Sequence, residues 1–164
     1  MSGIFSLLYI ERMPAKTMKR SRGKRTKTIK RTSVKSLDAF GREIIVSFLQ
    51  MLNTIKLYHW KTHSYATHKA TDDLYTKLND NVDKFIEVLM GKTQGRFKLG
   101  TKSLKIRDCS THQEFKSEIL KYKTYMVGLN NHKGLQTMSN ADLFTIRDDI
   151  LADLNQFLYL YTFK

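Results

Sequence analysis

Leu37, Phe40, Ile44, Phe48, Met51, Leu52, Ile55 and His59 recur at steps of three and four, which predicts a helix from Ser36 to about Thr62 with one long apolar face. A stripe of that length has to be covered by other secondary structure. The rest of the chain supplies the cover in the same period. Leu74, Leu78, Val82, Phe85, Ile86 and Leu89 mark a second helix over about Thr67 to Met90, with Gly91 as its stop. Thr111 and Glu114 have capping-box spacing and open a third helix, with Phe115, Ile119, Tyr122 and Met126 inward and an end near Gly128. Ser139 and Asp142 look like the next cap, ahead of Leu143, Ile146, Ile150, Leu154, Phe157 and Tyr161. The expectation is an all-α bundle of four helices. A basic segment with Gly91, Gly95 and Gly100 is left as one long crossover between the second and third.

The second helix carries more than a core face. At about 100° per residue, and taking His68 as zero, Asp72 falls at about 40°, Asp83 at about 60° and Glu87 at about 100°. Histidine and carboxylates sharing one face suit iron, manganese or zinc. One chain cannot bring both pairs to one ion, because Asp72 and Asp83 are about 16 Å apart along the axis, whereas ligands sit roughly 2 Å from the metal. However, 68 + 87 and 72 + 83 are equal, so an antiparallel copy of the same helix would set His68 against Glu87 and Asp72 against Asp83. That is an isologous two-fold contact with two identical sites. A charged, solvated stripe is the alternative reading of the same residues. His59 closes the apolar stripe of the first helix, either as a histidine bonded within the core or as a ligand aimed at His68 and Asp72. His63, four residues on, is a weaker candidate.

LYHW at 57–60, His68, Asp72, Asp73, Leu74, Tyr75, Asp83 and Glu87 together resemble the ferroxidase segment of the Dps-type miniferritins, a branch of the ferritin-like superfamily. The resemblance implies a ferritin-like four-helix bundle over residues 36–164, whose single long crossover fits that fold. It also implies an iron site across a subunit two-fold at His59, His68, Asp72, Asp83 and Glu87, ferroxidase activity with dioxygen or peroxide, and a hollow dodecamer. One departure is visible: the segment between His59 and His68 is about three residues shorter than usual in the family and lacks the common glycine. The chain also resembles uncharacterised ferritin-like proteins of large DNA viruses.

Charge locates the second functional element. The net charge is +14, and residues 13–35 contain Lys16, Lys19, Arg20, Arg22, Lys24, Arg25, Lys27, Lys30, Arg31 and Lys35 with no acid. Residues 14–35 have almost nothing apolar to bury, so the basic arm over residues 1–35 is expected to be disordered when free. Such an arm suits DNA or RNA backbones through counterion release, and a multimer multiplies it. KRSRGKRTKTIKR also reads as a nuclear-localisation signal or a tether to an acidic partner. The apolar run from Ile4 to Ile10 is too short to span a bilayer, which takes about 20 residues.

Other chemistries lack their signatures. The sequence has no phosphate-loop, dinucleotide or nucleophile-elbow motif. Cys109 is alone, which excludes an intrachain disulfide and fits a reducing compartment. Asp148, Asp149 and Asp153 read as solvated surface or a subunit contact. The leading expectation is a Dps-like oligomer of cytoplasm or nucleoid that binds nucleic acid and oxidises iron. The alternative is a ferritin-like structural protein without metal chemistry, tethered by its arm to a genome or to a particle shell protein, in a nucleus or virion.

Overall fold

The computed structural model describes residues 23–100 and 103–163. Their secondary structure is entirely helical: α1 (Gly23–Lys61), α2 (Tyr65–Thr93), α3 (His112–Gly128) and α4 (Ala141–Leu160), with short 3₁₀ turns at Leu129–Asn131 and Leu135–Thr137. No helix among the described residues is long and apolar enough to cross a membrane.

The apolar period builds the bundle. Phe40, Ile44, Phe48, Met51, Leu52 and Ile55 of α1 are buried, as are Leu74, Leu78, Val82, Phe85 and Leu89 of α2. Phe115, Ile119 and Met126 of α3, and all six stripe positions of α4 from Leu143 to Tyr161, complete one core. Phe48 meets Phe85 edge to face at 5.3 Å where α1 crosses α2. Lys92 bonds Asp142 at 2.7 Å, Asn81 bonds Asp153 at 2.8 Å and Lys77 bonds Gln156 at 2.7 Å, so α2 and α4 are antiparallel. Tyr58 stacks on Phe115 while the Tyr122 hydroxyl donates to Thr54, which makes α3 antiparallel to α1. α1 and α2, joined by the short turn over 62–64 and paired at Phe48 and Phe85, are antiparallel as well, so α2 and α3 run the same way and their connection must travel the length of the bundle.

That connection is fastened to α1. Phe97 lies over Gly41, where a Cβ would fall 2.3 Å from its ring. Further along, the Arg107 amide donates to the fully buried Thr54 hydroxyl at 3.3 Å, and Asp108 pairs with Lys61. No helix forms between residues 95 and 100 or between 103 and 111.

Several boundaries differ from the periodicity. α1 begins at Gly23, not Ser36. Nothing between Lys24 and Lys35 breaks a helix, and Lys and Arg are good helix formers once the fold supplies a nucleus. Residues 1–22 of the expected arm lie outside the described residues. α2 passes through Gly91 to Thr93, and Gln94, at φ 49°, takes the left-handed cap position usually given to glycine. At α4 the N-cap is Asn140, not Ser139, and its side chain donates to the Leu135 carbonyl.

The α3 capping box is present: the Thr111 hydroxyl accepts from the Glu114 amide, and the Glu114 carboxylate accepts from Ser110 at 2.8 Å and Thr111 at 3.2 Å. The Ser110 amide is the main reason that the Glu114 carboxyl titrates below its ordinary range. A depressed carboxylate stabilises above its unfolded-state pKa, and the effect disappears as pH falls through the folded-state value. Glu114→Ala is therefore expected to lower the urea midpoint at pH 7, with the gap from wild type closing in acid. A gap independent of pH would contradict the assignment.

Candidate metal centre

The candidate site begins with a short turn. α1 ends at Lys61, and Thr62, His63 and Ser64 reverse the chain. Ser64 sits at φ −90°, ψ 120° and caps α2, its hydroxyl accepting from the Thr67 amide at 3.3 Å. So tight a reversal lays the first turn of α2 against the last turn of α1. The shortness of this segment does not separate the histidines: the His59 and His68 rings stack with centroids 3.9 Å apart.

Hydrogen bonding fixes how the two rings face. His59 Nδ1 lies 3.1 Å from the His68 carbonyl oxygen, and His68 Nδ1 lies 3.2 Å from the His59 carbonyl oxygen. A carbonyl can only accept, so each Nδ1 carries the proton and donates, and in the neutral imidazole each Nε2 keeps its lone pair. The Thr71 hydroxyl, buried, donates to the Thr67 carbonyl at 2.8 Å and stands 3.2 Å from His59 Nδ1 as a second acceptor. Backbone or hydroxyl anchoring of one nitrogen with the other left free is how metal-binding histidines are commonly oriented.

His59 Nε2 lies 3.9 Å from the Asp72 carboxylate. This is too long for a hydrogen bond, yet both atoms could ligate one ion at about 2 Å from each. A lone pair facing a carboxylate is also unfavourable without a positive charge between them. His59 is nine-tenths buried, Asp72 is half-exposed, and His68 lies on the outer surface of the bundle. His59 Nε2 and the Asp72 carboxylate are thus two potential donors to a cation on the inner side of this corner.

Asp83 and Glu87 are exposed further along α2, on the side away from the core. Among the described residues no three His, Cys, Asp or Glu side chains of one chain are grouped to hold a metal ion. The structure stacks His68 on His59 and sets Asp72 near His59 Nε2, without converging the three on one point, and it leaves Asp83 and Glu87 apart from them within the chain. His63 stands exposed in the turn, and Trp60 is 69% exposed. Tyr58 is a packing residue: it stacks on Phe115 at 3.9 Å and accepts from the Tyr161 hydroxyl at 2.9 Å.

Sequence reasoning missed Thr71. A threonine inside a helix carries no signal of its own, although its position, three residues after His68 and on the α1 side, was available. Arg147 was also missed: it is buried, donates to Asn130 at 2.7 Å and to the Met126 carbonyl at 3.3 Å, and so ties α4 to the end of α3. Of the basic arm, Lys24, Arg25, Lys27, Lys30, Arg31 and Lys35 fall on the first turns of α1, while Lys16, Lys19, Arg20 and Arg22 lie outside the described residues. Cys109 is buried against the bundle, and burial, followed by Glu118 and Glu114, raises its thiol pKa. That keeps it protonated and a poor nucleophile.

Residues 59–161 match the model of a family described as a family of unknown function, DUF5856. The chain belongs to DUF5856. Within this DUF5856 chain the match includes His59, His68, Asp72, Asp83 and Glu87, along with α2, α3 and α4, and does not include the basic start of α1. No curated protein and no solved structure matches it.

Proposed function

We propose that this chain is a Dps-like protein of the ferritin-like type, which oxidises and sequesters iron at sites shared by two copies and binds nucleic acid through its basic arm. The observation that carries the reading is the reciprocal anchoring of His59 and His68, each Nδ1 held on the other residue's carbonyl, beside the Asp72 carboxylate. One bundle supplies these three groups, and Asp83 and Glu87 of a second copy, lying antiparallel along α2, supply the remaining carboxylates. A single long connection between helices that run the same way supports the ferritin-like assignment.

Iron is the substrate. The imidazoles and carboxylates bind Fe(II), and the net negative charge of three carboxylates favours the ferric product over the ferrous reactant. With peroxide as oxidant, two Fe(II) each release one electron, and peroxide takes up both with two protons and leaves as two waters. Thr71 and the two backbone carbonyls hold the imidazoles in place throughout. Manganese or zinc would fit the same ligands as a resident ion.

The direct test is Fe(II) oxidation by the full chain under dioxygen and under peroxide, followed by ferric absorbance. A rate well above that of buffer is expected with at least one oxidant. A rate equal to buffer with both would overturn the enzymatic reading and leave a structural protein held by its arm.

A further inference from the structure

The helical start of α1 gives the arm a shape. α2 ends at Thr93, beside Leu37 and Asp38, with which Thr93, Gly95, Arg96 and Phe97 line one shallow cavity. α1 does not stop at that level. It continues as helix from Leu37 back to Gly23, about 21 Å further at about 1.5 Å per residue.

Helical register distributes the basic positions over this extension. With Lys24 as zero and about 100° of rotation per residue, Lys35 falls at about 20°, Arg25 at about 100°, Lys30 at about 240°, Lys27 at about 300° and Arg31 at about 340°. The basic positions span an arc of about 220°, with no acid anywhere in residues 23–35. The two apolar positions, Ile29 and Val34, fall about 140° apart and form no face. A helix that lies on a membrane needs a contiguous apolar face, so this pattern does not suit one. A flat acidic surface would engage only one side of the helix.

An arc wider than half the circumference suits a slot with negative walls on both sides. The major groove of B-form DNA is such a slot, about 12 Å wide and flanked by phosphates of both strands. Threonines 26, 28 and 32 and Ser33 add hydroxyls, which commonly bond phosphates. The major groove of A-form RNA is too narrow and deep to admit a helix.

We propose that residues 23–35 are a duplex-DNA-binding element that enters the major groove as a continuous extension of α1. This rests on the reading of the arm as the nucleic-acid-binding part and specifies both its form and its partner. The extension is short enough to be marginal alone in water. Phosphates on both sides would relieve the repulsion among its six cationic residues.

The experiment uses the full chain and fluorescence anisotropy on a 20-base-pair DNA duplex, the single strand, the same sequence as duplex RNA, and anionic vesicles. Thr28→Pro/Thr32→Pro keeps every charge but breaks the helix ahead of the bundle, and Thr28→Ala/Thr32→Ala controls for the lost hydroxyls. Wild type and the alanine variant are expected to prefer duplex DNA, and the proline variant to lose about tenfold on duplex DNA only, with unfolding and oligomeric state unchanged. Equal duplex affinity for wild type and the proline variant would overturn the groove proposal while leaving the arm as a flexible polycation. Stronger binding to duplex RNA or vesicles would also overturn it. If wild type binds none of the probes, the nucleic-acid reading falls with it.

Discussion

Asp83→Ala/Glu87→Ala is expected to slow Fe(II) oxidation by about a hundredfold or more while leaving folding and oligomeric state as in wild type. Loss of an outer partner of a metal ligand typically costs about ten- to a hundredfold, and these residues are proposed as ligands themselves. The fold has little stake in them. Among the described residues neither makes a hydrogen bond or ion pair within its own chain, both are exposed, and alanine favours a helix interior. Substitutions at such positions usually change stability by less than about 0.5 kcal/mol. Ferric absorbance gives the rate, and thermal unfolding with sedimentation gives the fold and assembly. An unchanged rate would remove Asp83 and Glu87 from the site.

Phe48→Ala should have the opposite signature, a large loss of stability. Phe48 is 1% exposed and meets the fully buried Phe85 edge to face at 5.3 Å, across the crossing of α1 and α2. Truncating a buried phenylalanine costs about 3–5 kcal/mol, through lost burial and the cavity left behind. The edge-to-face pair adds about 0.5–1.5 kcal/mol beyond burial. Phe48→Leu keeps most of the volume and should cost clearly less. Urea unfolding of the three chains checks the order. A Phe48→Ala chain within about 1 kcal/mol of wild type would mean that this crossing is not a tightly packed part of the core.

The core was legible because burial follows period. Every stripe position of α4, and every one of α1 except the half-buried Leu37, is buried in the structure. The α3 capping box was legible because its two hydrogen bonds require particular residue types three apart. Gly91 misled because a glycine inside a helix costs only about 1 kcal/mol, which packing along α2 offsets. The end fell to Gln94, whose left-handed conformation no residue type announces.

At the candidate site, the sharing of a face by His68 and Asp72 was legible from the helical period. The approach of His59 was legible only as one of two readings. It depends on the three-residue turn over 62–64, whose geometry is set by the Ser64 cap and by carbonyls that every residue possesses. Thr71 could not be recognised without knowing where that turn places His59. The start of α1 was hidden for another reason: its charge argues for solvation, while its freedom from helix breakers allows helix, and composition does not decide between them.

Each site is proposed to take His59, His68 and Asp72 from one copy and Asp83 and Glu87 from another, and mixing two inactive variants tests that sharing. His68→Ala chains and Asp83→Ala/Glu87→Ala chains are unfolded together, refolded as an equal mixture, and assayed for Fe(II) oxidation. In a mixed two-fold dimer one site collects all the substitutions and the other none, so random pairing should restore about a quarter of wild-type activity. A mixture as inactive as either variant alone, with mixed dimers shown to be present, would contradict the shared site.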